Sequence, residues 1–341
     1  MEPATGPGRV RWLDAAALTR LLPPSAAISA VGAALRQERS GEAMAPLRDR
    51  LELGATVLMT MPAGGPDGLG VKVLTLTAGD RSRGRPAIQG VMLVFDGGDG
   101  RLRGAVDGPH LTALRTAALA GWATAQLADP AASHLVLAGA GAQAAHQVAA
   151  VCAVRPIRRV TLWNRTRRRA EELAAQLESR HPRLVLAVAD DLAAATADAD
   201  VVTLATSATS PLLGRADLPE RCHVNALGAH EPTARELASD VLAAAAVFAD
   251  TLAGCLAEAG DLLIPIAEGR LARAKVRPLA DAQPGAGPLT VMKSVGSGVF
   301  DLACAAEALR RAESDGTGRR DAGRRGRRPG PGPGRGDGPS R

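Results

Sequence analysis

Residues 134–144 read HLVLAGAGAQA: an apolar run ends in Gly139-x-Gly141-x-x-Ala144, and an alanine-rich helical pattern begins there. Gly139 permits a tight strand-to-helix turn, Gly141 lets the backbone approach a ligand, and Ala144 is small enough for close helix–strand packing. Amides of the turn, with Ala140, Ala142 and Gln143 in it, then face a pyrophosphate at the helix N-terminus. Between 134 and 292, the runs HLVLAGAG, RRVTLWN, RLVLAVA, ADVVTLAT, CHVNALGA and AAVFAD alternate with alanine-rich helical segments. That rhythm predicts βαβ units, an α/β arrangement with a parallel sheet buried on both faces.

The flanks read differently. Strand-like runs at 55–61, 70–77 and 88–95 follow one another without intervening helices, separated by the turn signals AGGPDG and GDRSRGRP, so an antiparallel or mixed sheet is expected. Helical patterns precede them (DAAALTRLL, AAISAVGAALRQERS) and follow at 111–127 and 296–311. Residues 313–341 carry eight arginines against four acids and nothing to bury, which predicts a disordered tail and leaves the rest of the chain close to neutral. Without interleaved aromatics, the tail gives no case for a nucleic-acid partner.

Composition excludes some chemistry. There is no tyrosine, so a tyrosine general acid is ruled out. Cys152, Cys222, Cys255 and Cys304 are far apart in sequence and read as free buried thiols, with no metal-ligand spacing. No apolar leader and no membrane-length run is present, so a cytoplasmic protein is expected.

About 20 residues after the glycine turn, an NAD-binding chain places an acid on the ribose hydroxyls. Here the second strand ends at Trp163 and is followed by Asn164, Arg165 and Thr166. An acid would repel a 2′-phosphate, whereas Asn164 hydrogen-bonds it, Arg165 pairs with it and Thr166 donates a hydroxyl, with Arg169 adding positive field. Cations at a helix N-terminus oppose its dipole, which a bound anion explains. NADPH is therefore expected, with NADH less favoured.

Seven segments in order (DGPHLTALRTAAL, LAGAGAQAAHQ, VTLWNRT, ADADVVTLATSATSPLL, HVNALGAHEPTARELASDVL, EAGDLL and TVMKSVGSGVFD) resemble the ornithine cyclodeaminase/mu-crystallin family over roughly residues 10–311. The WNRT segment is similar to its NADPH-using branch. The resemblance implies a Rossmann domain (119–294) inserted into a smaller substrate and dimerisation domain (1–118), to which a helix at 295–312 returns. It implies a homodimer and a cleft in which a nicotinamide faces an α-imino or α-amino acid. By the same resemblance Arg48, Lys72 and Arg115 clamp the substrate carboxylate, with Lys72 also catalytic. Arg115, Thr116, Ala205, Thr206, Leu227, Lys293 and Ser294 join the glycine turn in holding the cofactor. The residues themselves agree for two of these: Lys72 lies in an apolar strand pattern and Arg115 in an apolar helix, where an unpartnered charge is expensive. For Arg48, the RDR of 48–50 also reads as a solvated turn.

The family's cyclodeaminases carry a catalytic Asp where this chain has His230 in ALGAHEP. That departure argues against deamination. His230 is a candidate proton shuttle, or merely lines the cleft. The expected activity is NADPH-dependent reduction of a cyclic α-imino acid, Δ1-pyrroline-2-carboxylate or Δ1-piperideine-2-carboxylate, to proline or pipecolate. The alternatives are an NAD-dependent deaminating enzyme of the same family and a non-catalytic NADPH- and small-ligand-binding protein.

Overall fold

The computed structural model describes residues 10–77 and 88–316, together with the backbone of Arg319–Arg320. The chain begins with β1 (Arg11–Leu13) and helices α1 (Ala15–Leu21) and α2 (Pro24–Ser40). It continues through β2 (Asp49–Leu53), β3 (Thr56–Gly65), β4 (Gly68–Thr77), β5 (Ile88–Phe95) and β6 (Leu102–Asp107). Strands β2 to β6 form an antiparallel meander, and β1 lies parallel beside β6. The sheet is thus mixed, as the uninterrupted strand runs predict.

Alternation fixes its two faces. Met59, Met61, Lys72, Leu74, Met92 and Val94 point into the core, while Thr60, Val71, Val73, Val91 and Leu93 point away from it. The 49–53 segment, beside the residues read above as a solvated turn, is an edge strand. All five of its residues are exposed, so it has no buried face to show in the sequence and is defined by backbone pairing with β3.

After α3 (Gly108–Leu127) the parallel sheet begins, with β7 (His134–Ala138), α4 (Ala144–Cys152), β8 (Arg159–Trp163), α5 (Arg167–Arg180) and β9 (Val185–Val188). It continues with α6 (Leu192–Thr196), β10 (Val201–Leu204), β11 (Cys222–Ala226), α7 (Ser239–Ala244), β12 (Ala246–Ala249), α8 (Leu252–Glu258), α9 (Gly260–Ala267), β13 (Val276–Pro278) and β14 (Leu289–Lys293). The strand order is β13-β12-β14-β11-β10-β7-β8-β9. The winding reverses between β7 and β10, so a crevice opens there at the carboxyl ends of the strands. Every residue of β7, β10, β11 and β14 is buried, as expected of strands covered on both faces of a parallel sheet.

Helix α10 (Gly298–Ser314) returns to the first sheet, packing on α2, α3, β3 and β4. It runs two residues past the expected end at 312, and β15 (Arg319–Arg320) then pairs with Arg11 and Trp12. The ordered chain therefore extends beyond the boundary at 313, and residues 321–341 of the expected tail lie outside the described residues. The expected division at 118/119 also falls inside α3, a helix that packs on both sheets. One apolar core joins α1, α2, α3 and α10 to Phe248, Leu279 and Met292 of the parallel half. Among the described residues no single helix is long and apolar enough to cross a membrane.

Candidate active site

Three elements bring a charged cluster together. The register of β4 turns Lys72 inward opposite Met61 and Met92, the third turn of α3 carries Arg115, and the first turn of α10 carries Asp301. Lys72 Nζ donates to Asp301 Oδ2 at 2.7 Å and Arg115 Nε donates to Asp301 Oδ1 at 3.1 Å. Lys72 also reaches Thr112 Oγ1 at 3.3 Å. Lys72 and Asp301 are essentially inaccessible, at 1% and 0% exposure. Burial, with the neighbouring Arg115 and Arg48 charges, pulls the Lys72 ammonium down to about 8 despite Asp301. Burial pushes the Asp301 carboxyl up, but Arg115 and Lys72 outweigh it and hold the group below the usual carboxylate range.

The third cation arrives from the first sheet's edge. Arg48 Nη2 donates to the carbonyls of Val295 and Gly296 at 2.7 and 3.1 Å, and its Nε pairs with Glu258 at 3.0 Å. Gly296 is the hinge of this arrangement. Its φ is +82°, and a Cβ there would lie 2.5 Å from the Arg115 guanidinium. From the other side Asp250 accepts from the amides of Val295 and Gly296 and from Ser294 Oγ. Arg48 and Arg115 thus meet at one loop, and Lys72 joins them through the carboxylate of Asp301. The three cations are matched by Asp301, Glu258 and Asp250, and Arg115 reaches Asp301 through Nε, which leaves the directed N–H donors of its outer nitrogens to suit a carboxylate. A pocket lined by Glu38, Arg48, Met61, Thr251, Glu258 and Ser297 opens beside them.

The glycine turn sits at the carboxyl end of β7. Gly139 has φ +105°, and a Cβ there would be 2.4 Å from the Ala205 carbonyl oxygen. A Cβ on Gly141 would meet nothing, so the turn leaves open space at that point, and α4 begins at Gln143–Ala144 without a side-chain cap on its amides. Open backbone and free helix amides fit a dinucleotide phosphate. Asn164 ties this turn to the next: its Oδ1 accepts from Ala140 N at 3.1 Å, and its Nδ2 donates to the Thr166 carbonyl at 2.9 Å. In the exposed run that follows, Arg167 pairs with Glu171 and Asp190, and Arg168 with Glu172. Arg165 and Arg169 have no acidic partner among the described residues.

Ala205, Thr206, Leu227 and Ser294 follow the ends of β10, β11 and β14 on the same edge. Thr116 is buried on α3 beside Arg115. Lys293 differs from expectation. Its side chain is fully enclosed and committed to Asp261 at 2.7 Å, so it braces β14 against α9 and presents no charge to the crevice. His230 bonds to none of these cations: it is exposed, and its Nδ1 lies 3.1 Å from the Gly228 carbonyl. Two further histidines are buried in the parallel sheet. His134 contacts Thr161, and His223 lies between Thr290 and Asn225, its pKa pushed down to about 4 by burial.

Three site residues carried no signal in the sequence. Asp301 is one of two acids in GVFDLACAAEAL, indistinguishable there from a solvated helix position. Glu236 is buried and ties two crevice loops together: Oε1 accepts from Thr206 N and Oγ1 at 2.9 and 2.7 Å, and Oε2 from Gly228 N at 2.7 Å. Asp250 sets the 294–296 loop. The four thiols are free, as expected, and burial pushes Cys152 and Cys222 up to about 11 and 12.

The family profile described as "Ornithine cyclodeaminase/mu-crystallin family" matches residues 13–314. A Δ1-pyrroline-2-carboxylate reductase of Paracoccus denitrificans is 37% identical over 252 residues, 71% of this chain and 79% of that protein. A ketimine reductase mu-crystallin of Rattus norvegicus is 31% identical over 294 residues, 84% of this chain and 90% of that one. The solved Thermococcus litoralis Δ1-pyrroline-2-carboxylate reductase, in complex with NADH and L-proline, superposes with a TM-score of 0.86 at 28% identity, covering 91% of this chain and 99% of the other.

Proposed function

The chain belongs to the ornithine cyclodeaminase/mu-crystallin family, and from that premise we propose that it reduces a cyclic α-imino acid, Δ1-pyrroline-2-carboxylate or Δ1-piperideine-2-carboxylate, to the L-amino acid with NADPH. The observation that carries this reading is the meeting of Arg48 and Arg115 at Gly296, with Lys72 joined to Arg115 through Asp301, beside the crevice of a dinucleotide-binding sheet. The relatives named as Δ1-pyrroline-2-carboxylate reductases supply the reaction class.

A bound nicotinamide supplies the hydride that the imine carbon receives. The chain supplies orientation and charge. Arg48 and Arg115 hold the substrate carboxylate by directed N–H donors. The nitrogen must gain a proton as the carbon gains hydride. Lys72 Nζ, with its pKa drawn down to about 8, holds a proton at the cluster in the range where general acids are effective. His230, exposed and bonded to a backbone carbonyl, is not given that role.

Preference for NADPH over NADH rests on the missing acid at Asn164 and on Arg165 and Arg169, which no acid neutralises among the described residues. Loss of NADPH absorbance on adding either imino acid tests the activity. Arg165→Ala is expected to weaken kcat/KM for NADPH about tenfold, the scale of one charge-assisted hydrogen bond, with little change for NADH. Equal losses with both cofactors sink the 2′-phosphate assignment. No turnover with either cofactor sinks the function.

A homodimer through the first sheet is the accompanying reading. Its outward face presents Val71, Val73, Val91 and Leu93 as cross-strand neighbours, with Leu69 53% and Trp12 42% exposed. An apolar face of this kind marks an interaction surface. The double variant Val73→Arg/Leu93→Arg is expected to sediment as a monomer where the parent sediments as a dimer. A parent monomer, or a dimeric variant, refutes this interface.

A further inference from the structure

Three acids stand around the pocket beside Arg48: Glu258, Asp250 and Glu38. Glu258 is taken by Arg48 Nε. Asp250 is taken by backbone amides and Ser294 Oγ. Glu38, on the last turns of α2, differs. It lines the same pocket as Arg48, it is half-buried, and its carboxylate has neither a hydrogen-bond donor nor a cation among the described residues. Its sequence neighbour Arg39 turns instead to Asp281, at 2.9 Å. A half-buried carboxyl without partners is costly to retain unless something else satisfies it.

Resting on the function proposed above, we infer that Glu38 is a specificity-determining residue, accepting a hydrogen bond from an O–H or N–H group on the part of the substrate remote from its carboxylate. The carboxylate is bound by the cations, so the rest of the molecule extends into the pocket that Arg48 and Glu38 share. The remaining wall is small or apolar (Ala45, Met61, Ala253, Gly254), apart from the hydroxyls of Thr251 and Ser297. The substrate class is therefore an imino acid bearing a hydroxyl or amino substituent, preferred over the bare ring. Burial and the nearby Asp250 charge raise the Glu38 carboxyl to about 7. Near neutrality it passes between a neutral form that bonds a hydroxyl and an anion that pairs with an ammonium.

The test is kcat/KM with NADPH for Δ1-pyrroline-2-carboxylate and for its 4-hydroxy and 4-amino derivatives, in the parent protein, Glu38→Gln and Glu38→Leu. The parent is expected to prefer the substituted substrates. Glu38→Leu is expected to cut that preference roughly tenfold or more, the scale of a hydrogen bond to a charged group. Glu38→Gln keeps the shape and an acceptor but no charge, so it is expected to lose the preference for the amino compound and retain part of that for the hydroxy compound. Should the Leu variant fail to fold, the Gln variant decides. A parent that reduces the bare ring best, or a preference untouched in the folded variants, overturns the role of Glu38 and leaves the reductase standing. A parent that reduces none of the three overturns both.

Discussion

Lys72→Met is expected to lower kcat/KM for imino acid reduction by about 10²–10⁴, the range of a positioned proton donor. The methionine keeps the length and apolar body of the side chain, and Asp301 keeps Arg115, so the fold is retained while the ammonium is lost. The parent's pH profile gives the companion test. The ammonium is present below its pKa of about 8 and is lost as the pH rises through that value, so activity is expected to fall above pH 8. Unfolding does not account for such a fall. A lysine whose pKa is lower in the folded than in the unfolded state contributes stability that rises with pH, because the unfolded chain keeps the proton longer. Activity that stays level to pH 10, or a Met variant within threefold of the parent, would remove Lys72 from the chemistry.

Asp301→Asn is expected to destabilise the protein by about 3–5 kcal/mol, the usual result of stripping one partner from a buried ion pair. The melting temperature should fall by roughly 10 °C on that basis. The carboxylate takes a hydrogen bond on each oxygen, from Lys72 and from Arg115. An amide nitrogen in place of either oxygen sets donor against donor and leaves two cations in the interior with no anion. Thermal denaturation decides the point, and a variant that melts within 2 °C of the parent would show that the pair is relieved in some other way. NADPH is expected to bind the folded fraction unchanged, because the glycine turn and the Asn164 contact lie on other elements.

The sequence was legible where a residue violated its surroundings. Lys72 in an apolar strand and Arg115 in an apolar helix pointed to a charged site, and Gly139 announced a turn that no other residue could make. It was illegible where local context looked ordinary. Asp301 and Glu236 could each have faced solvent, and only packing over long sequence distances encloses them. The opposite error concerns Lys293, which the family resemblance set at the cofactor when Asp261 had already claimed its side chain. Strand β2 escaped notice because it is short and its alternating Leu51 and Leu53 lie exposed at the sheet's edge, with no core partner to mark them. The alternation of apolar runs survived because strands covered on both faces are mostly apolar, while buried polar residues within them, such as His134 and His223, find hydrogen-bond partners.

The return of α10 has a consequence for synthesis of the chain. Lys72 and Asp301 are separated by 229 positions, and the first sheet is covered by a helix made after the whole parallel sheet. At roughly 5–20 residues per second, the sheet waits on the order of 10–40 s for its cover. During that wait the parallel half can form from β7 onward, while the apolar inner face of β3 to β5 stays bare. The ribosome therefore releases the acid that joins two of the site's cations only after every strand of the parallel half. A chain that stops short of α10 lacks both the cover for its first sheet and the acid of its site.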